Sequence, residues 1–152
     1  MIQDHHRFCI APMMKKTDRH FRFLARQFTN KSMLYTEMIH ANAVLKGDVE
    51  KLLSFSNVEH PLGLQLGGSD PQMLAEASII GQEFGYDEIN LNVGCPSKKV
   101  KSGNFGVFLM KNVDLLSACV DAVKKRINIP FTIKCRIGAV SYTHLTLPTI
   151  YS

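Results

Sequence analysis

A cysteine stands in a turn that the sequence places at the end of a strand. Residues 90 to 99 read NLNVGCPSKK, so Cys95 lies between Gly94 and Pro96, after alternating polar and apolar side chains. Glycine lets the backbone turn sharply and proline stiffens it, so the thiol can be held in one direction. Such a thiol can act as a nucleophile or a general acid, whereas a small buried cysteine would be inert. Because asparagines share the same strand end, we favour a chemical role for Cys95.

Amide and lysine side chains fall on the polar faces of neighbouring strands. Gln65 lies in PLGLQLGG, Asn90 and Asn92 precede the cysteine, and Lys134 lies in IPFTIKCRIG. These side chains are costly to bury without partners. Gln65 could be a satisfied core residue, and Lys134 could reach solvent at a strand edge. Alternatively, all four line one polar cavity, in which Lys134 stabilises negative charge on a bound cofactor or substrate.

A lysine-rich loop follows the cysteine directly. It contains Lys98, Lys99 and Lys101, and the whole chain has a formal net charge of +5. A loop of this kind is usually solvated surface. Beside a candidate catalytic residue it could also hold the phosphates of a nucleic acid. The charge therefore favours a polyanionic partner without establishing one.

Strand-like and helical patterns alternate along the chain. Strands are predicted at residues 7–13, 32–39, 61–68, 86–94 and 129–138. Helices are predicted at residues 17–28, 42–55, 69–85 and 112–126. Thr17 is a plausible N-cap of the first helix, and Ser69 or Asp70 caps the third, with Pro71 in its first turn. Repeated βα units indicate a parallel sheet covered by helices.

Two architectures fit this order, a doubly wound sheet and a (β/α)8 barrel. The first strand ends in Ala-Pro-Met and lacks the glycine-rich fingerprint of a dinucleotide-binding sheet. The later strands each have one apolar face and one polar or small face, which carries Gln65, then Asn90 and Asn92, then Thr132, Lys134 and Arg136. A sheet covered on both faces reads as continuously apolar, so the polar face favours a barrel with a polar ligand at its mouth.

The composition indicates a globular chain of about one domain. The chain has 152 residues, of which 45% are hydrophobic and 20% charged. No apolar run approaches the ~18–20 residues of a membrane span, and the polar N-terminus lacks the core of a signal peptide. We expect a cytoplasmic protein without a membrane partner.

The cysteines and histidines indicate no metal site. The four cysteines are Cys9, Cys95, Cys119 and Cys135. None forms a CxxC pair or a cluster with zinc spacing, and the histidines show no constellation. We expect free thiols in a reducing compartment, structural except for Cys95.

Seven short segments make the chain similar to the tRNA-dihydrouridine synthases. They are APM, TDRHFR, LYTEM, LQLGGSDP, YDEINLNVGCPS, GNFGVFLM and IKCRIG. The segments run from about Arg7 to Gly138, and their GGSDP and TDRHFR versions look most like the A-type branch. The resemblance implies an N-terminal (β/α)8 TIM barrel carrying FMN, then a small helical domain. It also implies NADPH-dependent reduction of a uridine in the D-loop of tRNA.

The resemblance implies cofactor-binding roles for five residues. Ala11, Pro12 and Met13 would wrap FMN through backbone groups. Gln65 would hydrogen-bond the isoalloxazine. Lys134 would lie near its electron-rich edge and favour the anionic reduced flavin by charge pairing.

The resemblance also implies roles toward the substrate. Cys95 would protonate C5 of uracil, on the side opposite the hydride that reaches C6, and Asn92 would help position the base. The uridine must leave its stack to reach this site. Lys98 and Lys99 would suit recognition of folded RNA through its phosphates.

The chain departs from the family pattern in two places. Lys15 and Lys16 stand just before the Thr-Asp-Arg element, where the family usually carries an aromatic residue, often after an acidic one. After Gly138 the resemblance stops, and we expect residues 139–152 to be a non-native tail. Residues 1–138 would then be the N-terminal part of a flavin-binding barrel, truncated after about the fifth strand and inactive alone. We expect no metal, and a monomer at full length.

Two alternatives stay open at this point. A flavin barrel of the dihydroorotate or dihydropyrimidine dehydrogenase type also places Asn, Cys and Pro after a strand, but it acts on a free pyrimidine and needs no basic loop. A non-enzymatic RNA-binding fragment would keep the basic surface and lack redox activity.

Overall fold

A computed structural model describes residues 4–97, 100 and 103–137 of the chain. The predicted phosphate contacts Lys98 and Lys99 lie outside these described residues, as does the predicted tail at residues 139–152. Within the described residues, no helix has both the length and the apolar character needed to cross a bilayer.

One parallel sheet runs through the chain, and its strands follow one another in chain order. The strands are β1 (Leu34–Tyr35), β2 (Ile39–His40), β3 (Leu62–Gly67), β4 (Glu88–Asn92) and β5 (Phe131–Lys134). β1 and β2 both pair with β3, β3 pairs with β4, and β4 pairs with β5. β1 and β2 together lie where the sequence predicted a single strand at 32–39. A doubly wound sheet reverses its strand order at a switch point. The sequential order is therefore that of a barrel wall.

The first predicted strand, at 7–13, was wrong in length. Only Cys9 forms a parallel bridge, to Met33, and the amide of Ile10 donates to the carbonyl oxygen of Met33 at 2.9 Å. A 3-10 helix spans Asp4–Arg7 on one side, and Pro12, which lacks an amide hydrogen, lies on the other. The segment nevertheless lies beside β1, where the first strand of a barrel belongs.

The helices α1 to α5 follow the predicted order with corrected ends. They span Arg19–Arg26 (α1), Ala41–Lys46 (α2), Val49–Leu53 (α3), Pro71–Glu83 (α4) and Val113–Lys124 (α5). Asp18 caps α1 in place of the predicted Thr17, because its carboxylate accepts from the amide of Phe21 at 2.9 Å. Asp70 caps α4 and Pro71 lies in its first turn, as predicted.

The single helix predicted at 42–55 is two helices. A Cβ on Gly47 would lie 2.5 Å from the carbonyl oxygen of Ala43, so the chain passes α2 too closely for any side chain there. Asp48 then starts α3, where its carboxylate accepts from the amide of Lys51 at 3.1 Å. A close approach and a new cap therefore end one helix and begin the next.

The two faces of the strands separate as predicted. Leu64, Leu66, Ile89 and Leu91 are buried in the apolar core together with residues of α4 and α5. On the opposite face, the register aligns Gln65 with Asn90 and Thr132, and Asn92 with Lys134. The polar side chains of three strands thus share one side of the sheet.

Candidate functional site

A cavity of about 1040 Å³ opens at the carboxyl ends of β3, β4 and β5. Its volume reaches the upper end of the range of small-molecule sites, roughly 300–1,000 Å³. Predicted site residues that line it are Pro12, Met13, Gln65, Asn92, Cys95 and Lys134. The structure therefore brings together residues that lie far apart in the sequence.

The turn that carries Cys95 is held from below by Asn92. The side-chain oxygen of Asn92 accepts from the amides of Gly94 at 3.1 Å and Cys95 at 2.9 Å. The carbonyl oxygen of Cys95 accepts from the amide of Val107 at 3.2 Å. The thiol is half-buried at the cavity wall. Asn92, which the resemblance predicts to position a base, thus fixes the backbone of the cysteine turn.

Gly94 is required by the close approach of Arg136. A Cβ on Gly94 would lie 3.0 Å from Cγ of Arg136, tighter than ordinary van der Waals contact. The guanidinium donates to the carbonyl oxygen of Gly94 at 3.4 Å. Arg136, which the sequence places on the polar face of its strand, therefore adds a cation beside Cys95.

The side-chain amides of Gln65, Asn90 and Asn92 form hydrogen bonds with one another. Nδ2 of Asn92 donates to Oε1 of Gln65 at 3.0 Å, and Nε2 of Gln65 donates to Oδ1 of Asn90 at 2.7 Å. All three side chains are buried. Gln65 is thus a satisfied interior glutamine that also lines the cavity, so both interpretations of this residue hold.

Lys134 is an exposed cation of the cavity wall. Its side chain forms no ion pair with any residue that the structure describes, and it lies in register with Asn92. A lysine that lines a cavity beside buried amides, without an ion-pair partner among the described residues, suits an anionic ligand.

The segment at residues 11–13, predicted to wrap FMN through backbone groups, divides between two cavities. Ala11 lines a smaller neighbouring cavity of about 240 Å³, Met13 lines the large one, and Pro12 lines both. The amide of Met13 donates to Oγ1 of Thr17 at 3.0 Å, and its carbonyl oxygen accepts from the Thr17 amide at 3.0 Å. Since the backbone of Met13 is engaged in the loop, Met13 presents its side chain to the cavity.

Lys15, one of the two departures from the family pattern, lies in the cavity wall. Its backbone has the left-handed φ of 61°, an uncommon conformation for a residue with a side chain, and its amide donates to the Glu37 carboxylate. A lysine therefore stands in the cavity wall where the family usually carries another residue type.

Comparison with known sequences identifies the family. The family description "Dihydrouridine synthase" matches residues 9–148. The chain belongs to the dihydrouridine synthase family. It is 60% identical to a Synechocystis tRNA-dihydrouridine(20/20a) synthase over 85% of this chain and 39% of that protein. It is 54% identical to the Xanthomonas axonopodis tRNA-dihydrouridine(20/20a) synthase over 87% of this chain and 40% of that protein. The chain spans about two-fifths of the length of these relatives.

Membership in the dihydrouridine synthase family confirms the barrel prediction. Members of the family are (β/α)8 barrels and flavin-dependent oxidoreductases, so the sheet of β1 to β5 is part of a barrel wall. The predicted resemblance to the A-type branch is confirmed by relatives named for positions 20 and 20a.

The cavity fits the ring system of a flavin. Met13, Met38 and Phe105 provide apolar surface for a flat aromatic ring, while Gln65 and Lys134 provide hydrogen-bond donors for its polar edge. Within the described part of the chain, no group of three His, Cys, Asp or Glu side chains is placed to hold a metal ion.

Two of these wall residues were missed by the sequence analysis. Met38 lies in the short gap between β1 and β2, and Phe105 precedes a 3-10 helix at Gly106–Lys111. Phe105 also packs edge-on against His40 at 4.9 Å between ring centroids. Both residues stand in segments that carry the resemblance, Met38 in LYTEM and Phe105 in GNFGVFLM, but no strand or helix periodicity assigns them to the cavity.

Cys119 and Cys95 are expected to differ sharply in reactivity. Cys119 is fully buried in α5, as predicted for a structural thiol, and burial raises its pKa to about 11, with the Asp70 carboxylate contributing. At pH 8 roughly one Cys119 in a thousand is then a thiolate, the form that reacts. We expect iodoacetamide to modify Cys95 and spare Cys119 in the folded chain, as read by peptide mass spectrometry.

The pH dependence and unfolding provide the controls for this experiment. The alkylation rate of Cys119 should rise about tenfold per pH unit below pH 11, since its thiolate fraction rises in that proportion. In urea both thiols should react. Equal rates for Cys119 and Cys95 in the folded chain at pH 8 would contradict the prediction.

Proposed function

We propose that the chain is the flavin- and uracil-binding part of a tRNA-dihydrouridine synthase that reduces uridines 20 and 20a of tRNA, with FMN as cofactor and NADPH as reductant. The observation that carries the proposal is the joint presence of Cys95, Gln65, Asn92 and Lys134 in one cavity. The positions 20 and 20a are those in the names of the relatives.

The chain's own residues supply the proton half of the reduction. A bound flavin provides the hydride that adds to C6 of uracil. Cys95 holds a proton on Sγ, and its transfer to C5 completes the saturation of the C5–C6 bond. Because Cys95 is half-buried and not sealed, solvent can return the proton to sulfur. Lys134 balances negative charge at the cavity wall, and Asn92 keeps the cysteine turn in place.

The partner we propose is tRNA. A uridine can enter the cavity only after leaving its stack, which is the general requirement for chemistry on a base. Lys98 and Lys99 follow the cysteine and remain the proposed phosphate contacts. A tRNA substrate also accords with the cytoplasmic location expected from the sequence.

The proposed function is tested with a chimeric enzyme. Residues 9–137 replace the matching segment of the Synechocystis relative, which is 60% identical over 129 residues. The chimera is incubated with FMN, NADPH and unmodified tRNA, and dihydrouridine is located by mass spectrometry of digested tRNA. Formation at positions 20 and 20a supports the proposal. A chimera that reduces free uracil or acts on dihydroorotate in preference to tRNA would favour the alternative dehydrogenase function.

FMN binding by this chain alone is expected to be weak. Barrels of this type build their phosphate site largely after strands seven and eight. We therefore propose that the chain provides the ring end of the site and not the phosphate end. We also propose, from the sequence, that residues 139–152 are non-native, although the family match extends to residue 148. Resequencing the source DNA beyond the codon for Gly138 tests this, and a natural frame through those residues would overturn it.

Lys134→Met is expected to raise the Kd of the chimera for FMN about tenfold, since it removes a cation that faces the ligand. Kd is measured by quenching of flavin fluorescence. The matched control is Lys111→Met, because Lys111 is also exposed but lies over the Phe108 ring outside the cavity. The difference between the two variants should shrink at high salt. Equal Kd values at low salt would show that Lys134 does not face FMN.

A further inference from the structure

The amide contacts beneath the cavity continue into a longer chain of hydrogen bonds. Nδ2 of Asn90 donates to Oγ1 of Thr132 at 2.8 Å, and the Thr132 hydroxyl donates to Oε1 of Glu88. Together with the bonds among Asn92, Gln65 and Asn90, this makes an uninterrupted path inside the sheet. It runs from the backbone of the Cys95 turn to the opposite end of β4.

Glu88 is the lower end of this path. It is 1% exposed, and it accepts from the Tyr35 hydroxyl at 2.9 Å and contacts Nε2 of His6 at 2.6 Å. Burial, together with the negative charge of Glu88, raises the pKa of Tyr35, so the phenol stays protonated and donates. Gly63 leaves room for the Tyr35 ring beside Glu88, since a Cβ at residue 63 would lie 2.6 Å from that ring.

At both ends of the path, the chemistry of the groups determines which atom donates the hydrogen bond and which accepts it. The backbone amides of Gly94 and Cys95 are pure donors, so the atom of Asn92 facing them must be its oxygen. At the other end, Oε1 of Glu88 accepts from the Thr132 hydroxyl as well as from the Tyr35 hydroxyl, so the oxygen of Thr132 is left to accept from Nδ2 of Asn90. The amides between these ends then have a single consistent orientation. Aligned hydrogen bonds of this kind also polarise and strengthen one another.

We propose that Glu88 and Thr132 are positioning residues that fix the amide orientations beneath the cavity and thereby hold the Cys95 turn. Neither residue contacts the turn itself. Their effect passes through Asn90, Gln65 and Asn92 to the two amides at the top.

The orientation also determines what the cavity floor offers a ligand. Nε2 of Gln65 and Nδ2 of Asn92 each use one hydrogen within the path, which leaves each with a second hydrogen. The floor therefore presents amide N–H groups. It suits a ligand edge that carries acceptors, such as the carbonyl oxygens of an isoalloxazine or a uracil, and this consequence rests on the proposed function.

The test is to remove one link without changing its shape. Thr132→Val replaces the hydroxyl by a methyl group and leaves Nδ2 of Asn90 without its acceptor. The matched control, Thr132→Ser, keeps the hydroxyl. Amide hydrogen exchange of the ¹⁵N-labelled chain is followed by NMR at Gly94 and Cys95. The measured quantity is their exchange rate relative to that of Leu91, a buried β4 amide that reports any general loss of stability.

We expect the relative rate at Gly94 and Cys95 to rise about three- to tenfold in Thr132→Val and to stay unchanged in Thr132→Ser. Equal relative rates in the two variants would overturn the proposal. A second pair repeats the test from the other end: Glu88→Leu should raise the relative rate, while Glu88→Gln, which keeps an acceptor oxygen, should not. A rise with Glu88→Gln equal to that with Glu88→Leu would also overturn it.

The experiment contains no FMN, NADPH or tRNA. The positioning role can therefore be confirmed even if the chimera reduces no uridine, and it can fail while the proposed function stands.

Discussion

Replacing Cys95 by alanine in the chimera is expected to slow dihydrouridine formation by about 100- to 10,000-fold, the usual contribution of a positioned general acid. The affinities for FMN and tRNA should stay nearly unchanged, because the turn is held by backbone contacts that alanine preserves. The Cys95 amide would still donate to Asn92, and its carbonyl oxygen would still accept from Val107. The effect should therefore appear in kcat and not in KM.

Two further variants separate acid chemistry from other effects. Cys95→Ser keeps a weaker acid at the same place and should retain intermediate activity. Cys119→Ser is the matched control, since a hydroxyl can still donate to the carbonyl oxygen of Ser69, 3.6 Å from the present sulfur. Its activity should equal that of the parent. A Cys95→Ala rate within threefold of the parent would remove Cys95 from the mechanism.

The polar faces of the three longest strands were predictable because a strand alternates with period two. Gln65, Asn90, Asn92 and Lys134 could be assigned to one side from spacing alone, and the register places them there. The helix patterns likewise indicated the repeating βα order. What these patterns cannot give is the partner of each side chain, which depends on how neighbouring strands align.

The buried Glu88 shows where periodicity was informative but incomplete. It lies two residues before Asn90 and four before Asn92, so it belongs to the same face of β4. Its partners are distant in the sequence: His6 comes from the N-terminal 3-10 helix and Tyr35 from β1. The contact of His6 could not be predicted from the sequence, because no local signal connects it to a carboxylate 82 residues away.

Irregular segments account for the remaining differences. The predicted first strand is cut to a bridge, and Ala11 lines the smaller cavity. Cys9 and Cys135, expected to be structural in strands, are exposed. In each case the segment lies at the edge of regular structure, where backbone direction depends on tertiary contacts more than on local sequence.

Arg22→Ala is expected to lower the free energy of unfolding by about 3–5 kcal/mol, because it leaves a buried carboxylate without its cation. Arg22 and Glu59 are both almost fully buried, and Nε of Arg22 lies 2.6 Å from Oε2 of Glu59. The guanidinium also donates to the carbonyl oxygen of Thr17 at 2.8 Å. Urea unfolding followed by circular dichroism measures the change.

The matched variants distinguish an unpaired charge from lost packing. Arg19→Ala, at an exposed position of the same helix, should change stability by less than about 0.5 kcal/mol. The double variant Arg22→Met with Glu59→Met should recover most of the loss, since it removes both charges and keeps buried volume. A double variant as unstable as Arg22→Ala would assign the effect to packing. Because Thr17 in turn holds the backbone of Met13, Arg22→Ala should also loosen the cavity wall and weaken FMN binding in the chimera.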